Sequence, residues 1–261
     1  MLSQEAGPSF LGAEYHQLQA LLGVFEPLLR AFREGGGVPT SAYDASFWDG
    51  LDRSSAIYCE QVLLKEWIPA LAGVRAGLER GISVADVGCG RGRAVLTLAR
   101  AFPASRFTGY DAFAPNIEYA TARIATEGLA ARARFVVADV AAGLPERHDL
   151  ILSVNVAHDA AQPLALLRAV RGALTPGGTY LCVEPLAPES LEECAGPRGA
   201  YMYGTSVLFC MTTALAAGGE GIGTCGLPEA RLRALCAEAG FAAFGRLPLE
   251  DPGRGVYVAR V

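Results

Sequence analysis

Basic charge is in short supply. Lys and Arg total 22 against 27 Asp and Glu, a formal net charge of −5. No basic stripe exists to displace counterions, so a nucleic-acid partner is not expected. Charged residues make up only 19% of the chain and hydrophobic ones 51%, enough for a sizeable core without staples. No apolar run reaches about 20 residues, so no membrane-spanning helix is expected. Met1–Gly7 carries Gln4 and Glu5 where a secretory leader needs a basic and then an apolar segment. The 7 cysteines are odd in number, scattered, and form no C-x-x-C pair, and only 3 histidines accompany them. That pattern excludes a disulfide framework and gives no metal-ligand spacing; reduced thiols in a cytoplasmic protein are the expectation. Repeats and low-complexity tracts are missing too.

What is present falls into two patterns. Tyr15–Arg33 has Leu18, Leu21, Leu22, Phe25, Leu28, Leu29 and Phe32 at helical spacing, with Pro27 set to kink or split the helix. A second helical region is expected over Ser54–Leu71, and an aromatic cluster of Tyr43, Phe47 and Trp48 precedes it. From Ser83 the chain alternates strands and helices, which implies a parallel sheet. Strands are expected at Ser83–Val87, Arg106–Asp111, Ala133–Val137, Leu150–Val154 and Thr179–Glu184. Pro176-Gly177-Gly178 reads as a tight turn before the fifth of them. Two last strands, in Phe241–Leu249 and Gly255–Val261, are joined at Asp251-Pro252-Gly253 as an antiparallel edge pair. The expected fold is thus α/β, a doubly wound, seven-stranded, mostly parallel sheet with a helical N-terminal cap. Residues 1–80 form the cap, lid or dimerisation segment and 81–261 the main domain, with an insertion over about 186–227.

Val84–Arg93, Val-Ala-Asp-Val-Gly-Cys-Gly-Arg-Gly-Arg, carries the chemistry. A strand, a glycine loop and a helix bring backbone N–H groups up to a nucleotide-like ligand. Gly88, Gly90 and Gly92 are spaced G-x-G-x-G, and Arg93 stands where a dinucleotide fingerprint has its third glycine. A nicotinamide cofactor is therefore disfavoured. Asp111 ends the second strand about 20 residues on, where a carboxylate meets ribose hydroxyls. Asp139 ends the third strand, and Asp86 lies inside the first motif. Three acids converge on one crevice with no cation placed for a pyrophosphate. A ligand with a cation and a ribose but no phosphate fits, and S-adenosylmethionine is one.

On Asp86-Val87-Gly88-Cys89-Gly90-Arg91-Gly92, Asp111, Asp139, the fourth strand and Leu174-Thr175-Pro176-Gly177-Gly178, the chain resembles class I S-adenosylmethionine-dependent methyltransferases. Glu66–Leu71, Val156–Asp159 and Tyr201–Gly204 resemble a bacterial small-molecule, O-methyltransferase-like subfamily. Its members often carry an N-terminal winged-helix dimerisation domain, for which too few residues precede Trp67. The resemblance implies that Gly88, Cys89, Gly90 and Gly92 meet the amino-acid end of the cofactor. Asp111 and Ala112 would hold the ribose, Asp139 and Val140 the adenine, and Asn155 the methionine portion. His158, in a His-Asp pair after the fourth strand, would be the general base for a hydroxyl acceptor, its ordinary pKa near 6.5 suiting that task. Glu184 would orient His158 or bind an acceptor amine. Tyr43, Trp48 and Tyr203 would contact the acceptor, while His148, in a charged loop, reads as solvated. The reaction implied is O- or N-methylation of a small molecule such as a secondary metabolite, leaving S-adenosyl-L-homocysteine. A homodimer is a possible assembly. The alternatives are a cyclising enzyme on the same fold, a soft acceptor such as arsenite or a thiol, and a cofactor-binding subunit without turnover.

Overall fold

The computed structural model describes residues 12–190, 192–251 and 253–261. The leader-free reading of Met1–Gly7, and Pro252 of the last turn, lie outside the described residues. Seven strands form one sheet: β1 Ser83–Val87, β2 Arg106–Asp111, β3 Ala133–Val137, β4 His148–Val154, β5 Leu174–Pro185, β6 Ala243–Arg246 and β7 Arg254–Arg260. Their order is β3-β2-β1-β4-β5-β7-β6. The pairs β1–β2, β2–β3, β1–β4 and β4–β5 are parallel, and β6–β7 is the antiparallel edge pair. All but the first residue of β1, and the run Thr179–Glu184 in β5, are buried, as strands covered on both faces must be. The order reverses direction between β1 and β4, so a crevice opens beyond the carboxyl ends of those two strands.

The chain forms two compact units. Of the described residues, the sheet unit holds those in 58–156, 164–184 and 233–261, and the other unit those in 12–57, 157–163 and 185–232. The sheet unit's core packs Trp67, Leu78, Leu96, Leu98, Phe107, Leu150, Leu152, Leu181 and Val183 together, all nearly free of solvent contact. The other unit is helical. Its helices Gly12–Gly23 and Phe25–Glu34 are split at Val24. Pro27 sits in the first turn of the second of these, where a missing N–H loses no helical bond. Among the described residues no helix is long and apolar enough to cross a membrane.

Three local expectations need correction. The second helix starts at Ala45, not Ser54, because Asp44 caps it: Oδ1 accepts from Ser46 N at 2.8 Å and Phe47 N at 3.4 Å. From Ile57 to Trp67 the same helical path runs in the wider π form. Pro176-Gly177-Gly178 is not a turn ahead of a strand but an irregularity within β5, where pairing slips between His148–Leu174 and Leu150–Thr179. His148 is not solvated; it is wholly buried at the start of β4. Its Nδ1 lies 2.8 Å from Ser83 Oγ and its Nε2 3.4 Å from the Tyr110 hydroxyl. Burial holds this imidazole below its usual pKa. The charges flanking it are used by the sheet: Asp149 accepts from Ser83 N at 2.9 Å and Thr175 Oγ1 at 2.8 Å, and Glu146 pairs with Arg134.

Candidate functional site

Gly88, Gly90 and Gly92 all have positive φ, at 67°, 52° and 78°. A side chain is strained there, and at two of them it would also collide. A Cβ on Gly88 would stand 2.5 Å from Val156 Cγ2, and one on Gly92 would stand 2.2 Å from Phe135 Cζ. At Gly90 nothing lies within 4 Å. Two glycines therefore serve the protein's own packing, and Gly90 is the one that faces open space. Arg93, in the third-glycine position, gives its guanidinium to Glu60 at 2.5 Å, so it is not held for a phosphate.

Asp111, at the end of β2, binds the loop from below. Its Oδ2 accepts from Gly90 N at 2.8 Å and its Oδ1 from Phe113 N at 2.8 Å. Each oxygen keeps a lone pair for a ligand hydroxyl. Burial nonetheless raises its pKa, the two amide bonds pulling the other way. Asp86 is more deeply placed, and burial together with the Asp111 charge pushes its pKa up to about 8. The site is thus short of compensating positive charge, as suits a cationic ligand. Cys89 is buried beneath the loop and its N–H donates to Tyr110 O at 3.0 Å. Ala112 is exposed beside Asp111. Asp139 is exposed, and its Oδ1 caps a short 3₁₀ turn through Ala141 N at 3.0 Å; Val140, next to it, is buried.

On the β4 side, Asn155 is the lone non-glycine with positive φ (57°) among the described residues. Its N–H donates to Val183 O at 2.8 Å, while its side-chain Oδ1 is buried with no hydrogen-bond partner. Asparagine tolerates this left-handed backbone better than other side chains do, and its unpartnered buried acceptor is left with capacity for one more hydrogen bond. Glu184, buried at the end of β5, accepts from Val156 N at 3.1 Å and so braces the turn that follows Asn155.

The remaining candidates lie in the helical unit. His158 is buried three residues past Asn155 along the chain, and its Nε2 is 2.9 Å from Asp159 Oδ1. Tyr43 and Trp48 are interior rather than free to move. Tyr43 packs at 5.0 Å from Phe47 and 5.1 Å from Phe209, Trp48 at 6.0 Å from Phe209, and the Tyr43 hydroxyl donates to Leu208 O at 2.5 Å. Burial first, and then Cys210 and Asp159, push the Tyr43 phenol well above its usual pKa. Tyr203, on helix Pro197–Thr205, keeps 37% of its surface in solvent. Sequence reasoning missed Cys210, whose ligating atom lies with those of His158 and Asp159 within a span of 4.8 Å. Fifty intervening residues hide that grouping from any motif.

Comparison with known proteins agrees with this geometry. Residues 85–180 match the family model described as "Methyltransferase domain". A ubiquinone biosynthesis O-methyltransferase of Cereibacter sphaeroides is 36% identical over 102 residues, 39% of this chain and 40% of that protein. Acetylserotonin O-methyltransferase of Mus musculus is 35% identical over 185 residues, 67% of this chain and 42% of that one. The chain thus spans about two-fifths of the length of the curated relatives it matches. Among solved structures, human N-acetylserotonin methyltransferase in complex with S-adenosylmethionine superposes with a TM-score of 0.66 at 19% identity, covering 97% of this chain and 71% of that one. Over residues 85–180 the chain thus matches a methyltransferase-domain model, and its sheet has the fold of solved S-adenosylmethionine-binding methyltransferases.

Proposed function

We propose that the protein methylates a hydroxyl of a small molecule, with S-adenosylmethionine as donor and His158 as proton acceptor. The observation that carries the reading is the crevice beyond β1 and β4. Its glycine loop is open at Gly90, and Asp111 and the orphaned Asn155 Oδ1 offer acceptors. The donor supplies a sulfonium methyl and leaves as a neutral thioether. Asp111 holds its ribose through the lone pairs that the Gly90 and Phe113 amides leave. Asp86 and Asn155 answer the cationic amino-acid end, and Val140, with Asp139 fixing its turn, packs against the adenine. Positioning contributes most of the rate for in-line displacement. His158 removes the hydroxyl proton as the methyl group arrives, and its interior place keeps water from competing. O-methylation is preferred over N-methylation because the named relatives are O-methyltransferases.

The reading extends to the division of labour. Segment 185–232 and the front helices select the acceptor, with Tyr203 the exposed aromatic among the candidates. Glu184 acts through the backbone turn it braces. The net charge of −5 speaks against a nucleic-acid partner, and the scattered, unpaired cysteines favour a reducing, cytoplasmic setting; a homodimer is tested by sedimentation.

Calorimetry and turnover test the proposal together. S-adenosylhomocysteine is expected to bind one to one and NAD not at all. With a hydroxyl-bearing aromatic acceptor, His158→Ala is expected to lower kcat by about 10²–10⁴ while leaving cofactor affinity unchanged. Binding without turnover across an acceptor panel would favour a non-catalytic subunit, and an unchanged kcat would remove His158 from the chemistry.

A further inference from the structure

Cys210 has no part in the reaction above, yet its surroundings are unlike those of a structural thiol. It ends a π-helical turn, Ser206–Cys210, a distortion that recurs at functional positions. Its Sγ and one ligand atom each of His158 and Asp159 all lie within 4.8 Å of one another. His158 and Cys210 are buried, and the side chain of Asp159 is 26% exposed. Asp159 Oδ1 is the odd atom. It is 2.9 Å from His158 Nε2 and buried, yet no hydrogen bond satisfies it. The three ligand atoms lie close enough together to hold one metal ion. All three side chains belong to the helical unit, so the grouping is internal to one compact body.

We propose that His158, Asp159 and Cys210 form a three-ligand site for a zinc-class divalent cation. One imidazole, one carboxylate and one thiolate are a borderline-soft set, which selects zinc, cobalt or cadmium over magnesium or calcium, cations that want six or more oxygens. Bond lengths of about 2.0–2.3 Å to N, O and S place ligand atoms on one metal about 3–3.7 Å apart. The His–Asp pair is already that close, and Cys210 has to move inward by at most about an ångström. Thr224 Oγ1, 3.2 Å from Cys210 Sγ, is the outer partner that aims the sulfur. On binding, the S–H bond of Cys210 is exchanged for a sulfur–metal bond and the proton leaves to solvent; neutral imidazole and carboxylate donate lone pairs, and nothing is oxidised or reduced. A coordinated imidazole nitrogen cannot take up a proton. Metal occupancy therefore shuts off methyl transfer, a consequence that rests on His158 being the base, whereas the metal site itself does not.

The metal alone is the probe. Chelator-stripped full-length protein is titrated with cobalt, and a single thiolate-to-cobalt charge-transfer band that saturates at one equivalent and is displaced by zinc is expected. Cys210→Ser is expected to abolish the band, weaken zinc binding about 10–100-fold and lose zinc inhibition of the methyl transfer it retains. Cadmium NMR of the wild-type protein reads the number of sulfur ligands without any variant, and one sulfur is expected. Absence of the band, its survival in Cys210→Ser, or a cadmium shift characteristic of two or three sulfurs overturns the assignment. Metal binding as described in a protein that methylates nothing would sink the proposed function and leave the site standing.

Discussion

The two compact units hold their candidate site residues differently. In the sheet unit two acids at strand ends are answered by backbone. Asp111 takes the amides of Gly90 and Phe113, and Glu184 takes that of Val156. In the helical unit, side chain meets side chain between separate segments. Cys210 comes beside His158 and Asp159 from about fifty residues away, and Thr224 stands next to it. The first arrangement fixes a loop whose shape is dictated locally. The second depends on helices that arrive from separate parts of the chain. A shared cofactor is suited to the first kind of site, and a variable acceptor or a metal to the second.

The largest effect that separates local from packed requirements is inside the glycine loop itself. Gly92→Ala forces a Cβ to within 2.2 Å of Phe135 Cζ at a left-handed φ, and a loss of about 2–4 kcal/mol is expected in denaturant melts. Gly90→Ala meets no atom within 4 Å and is expected to lose only about 1–2 kcal/mol, for its φ. Calorimetry should reverse the ranking per unit of stability lost, because Gly90→Ala intrudes on the ligand's side. If both variants bind S-adenosylhomocysteine normally, the loop does not carry the cofactor.

Asp86 gives a smaller effect with a definite sign. Its folded pKa of about 8 stands above the ordinary 3.8. The folded state therefore holds a proton that the unfolded state has released. The stabilising contribution is full below pH about 4 and is lost as pH rises to about 8. Asp86→Asn should flatten that part of the stability curve and raise the melting temperature at pH 7. It should also weaken cofactor binding most above pH 8, where the wild-type carboxylate is ionised. The difference between wild type and variant cancels the cofactor's own titration. A parallel pH dependence in both proteins would exclude Asp86 as the titrating group.

In the helical unit the expected effect is least. Tyr43→Phe removes one hydrogen bond, to Leu208 O, and keeps the aromatic cluster. A loss of about 1 kcal/mol with unchanged acceptor KM is expected. A raised KM would return Tyr43 to acceptor binding.

Legibility in the sequence follows the same division. Ser83–Val87, Arg106–Asp111 and Ala133–Val137 are strands with the bounds that their apolar runs suggest, because each is closed by a glycine, a carboxylate or a turn next to it. His148 misleads because Glu146, Arg147 and Asp149 look like a solvated loop. Only the register of β4 against β1 and β5 reveals that these charges serve the sheet's end. The Asp44 cap was readable and marks a helix start nine residues ahead of the expected one. The left-handed backbone of Asn155, its orphaned Oδ1 and the company of Cys210 have no local signature, since each arises from what the fold brings near.

The path of the chain also bears on synthesis. It passes between the two units five times, at residues 57/58, 156/157, 163/164, 184/185 and 232/233. The Tyr201–Glu14 bond spans 187 residues and the Val38–Thr212 bond 174. Helix Gly12–Gly23 finds its first partner, Ala45–Ala56, soon after it is made, through contacts such as Gln17 to Ser54. The bonds to Tyr201 and Thr212 form only once most of the remaining protein has left the ribosome, so the front helices are closed over last on their far side.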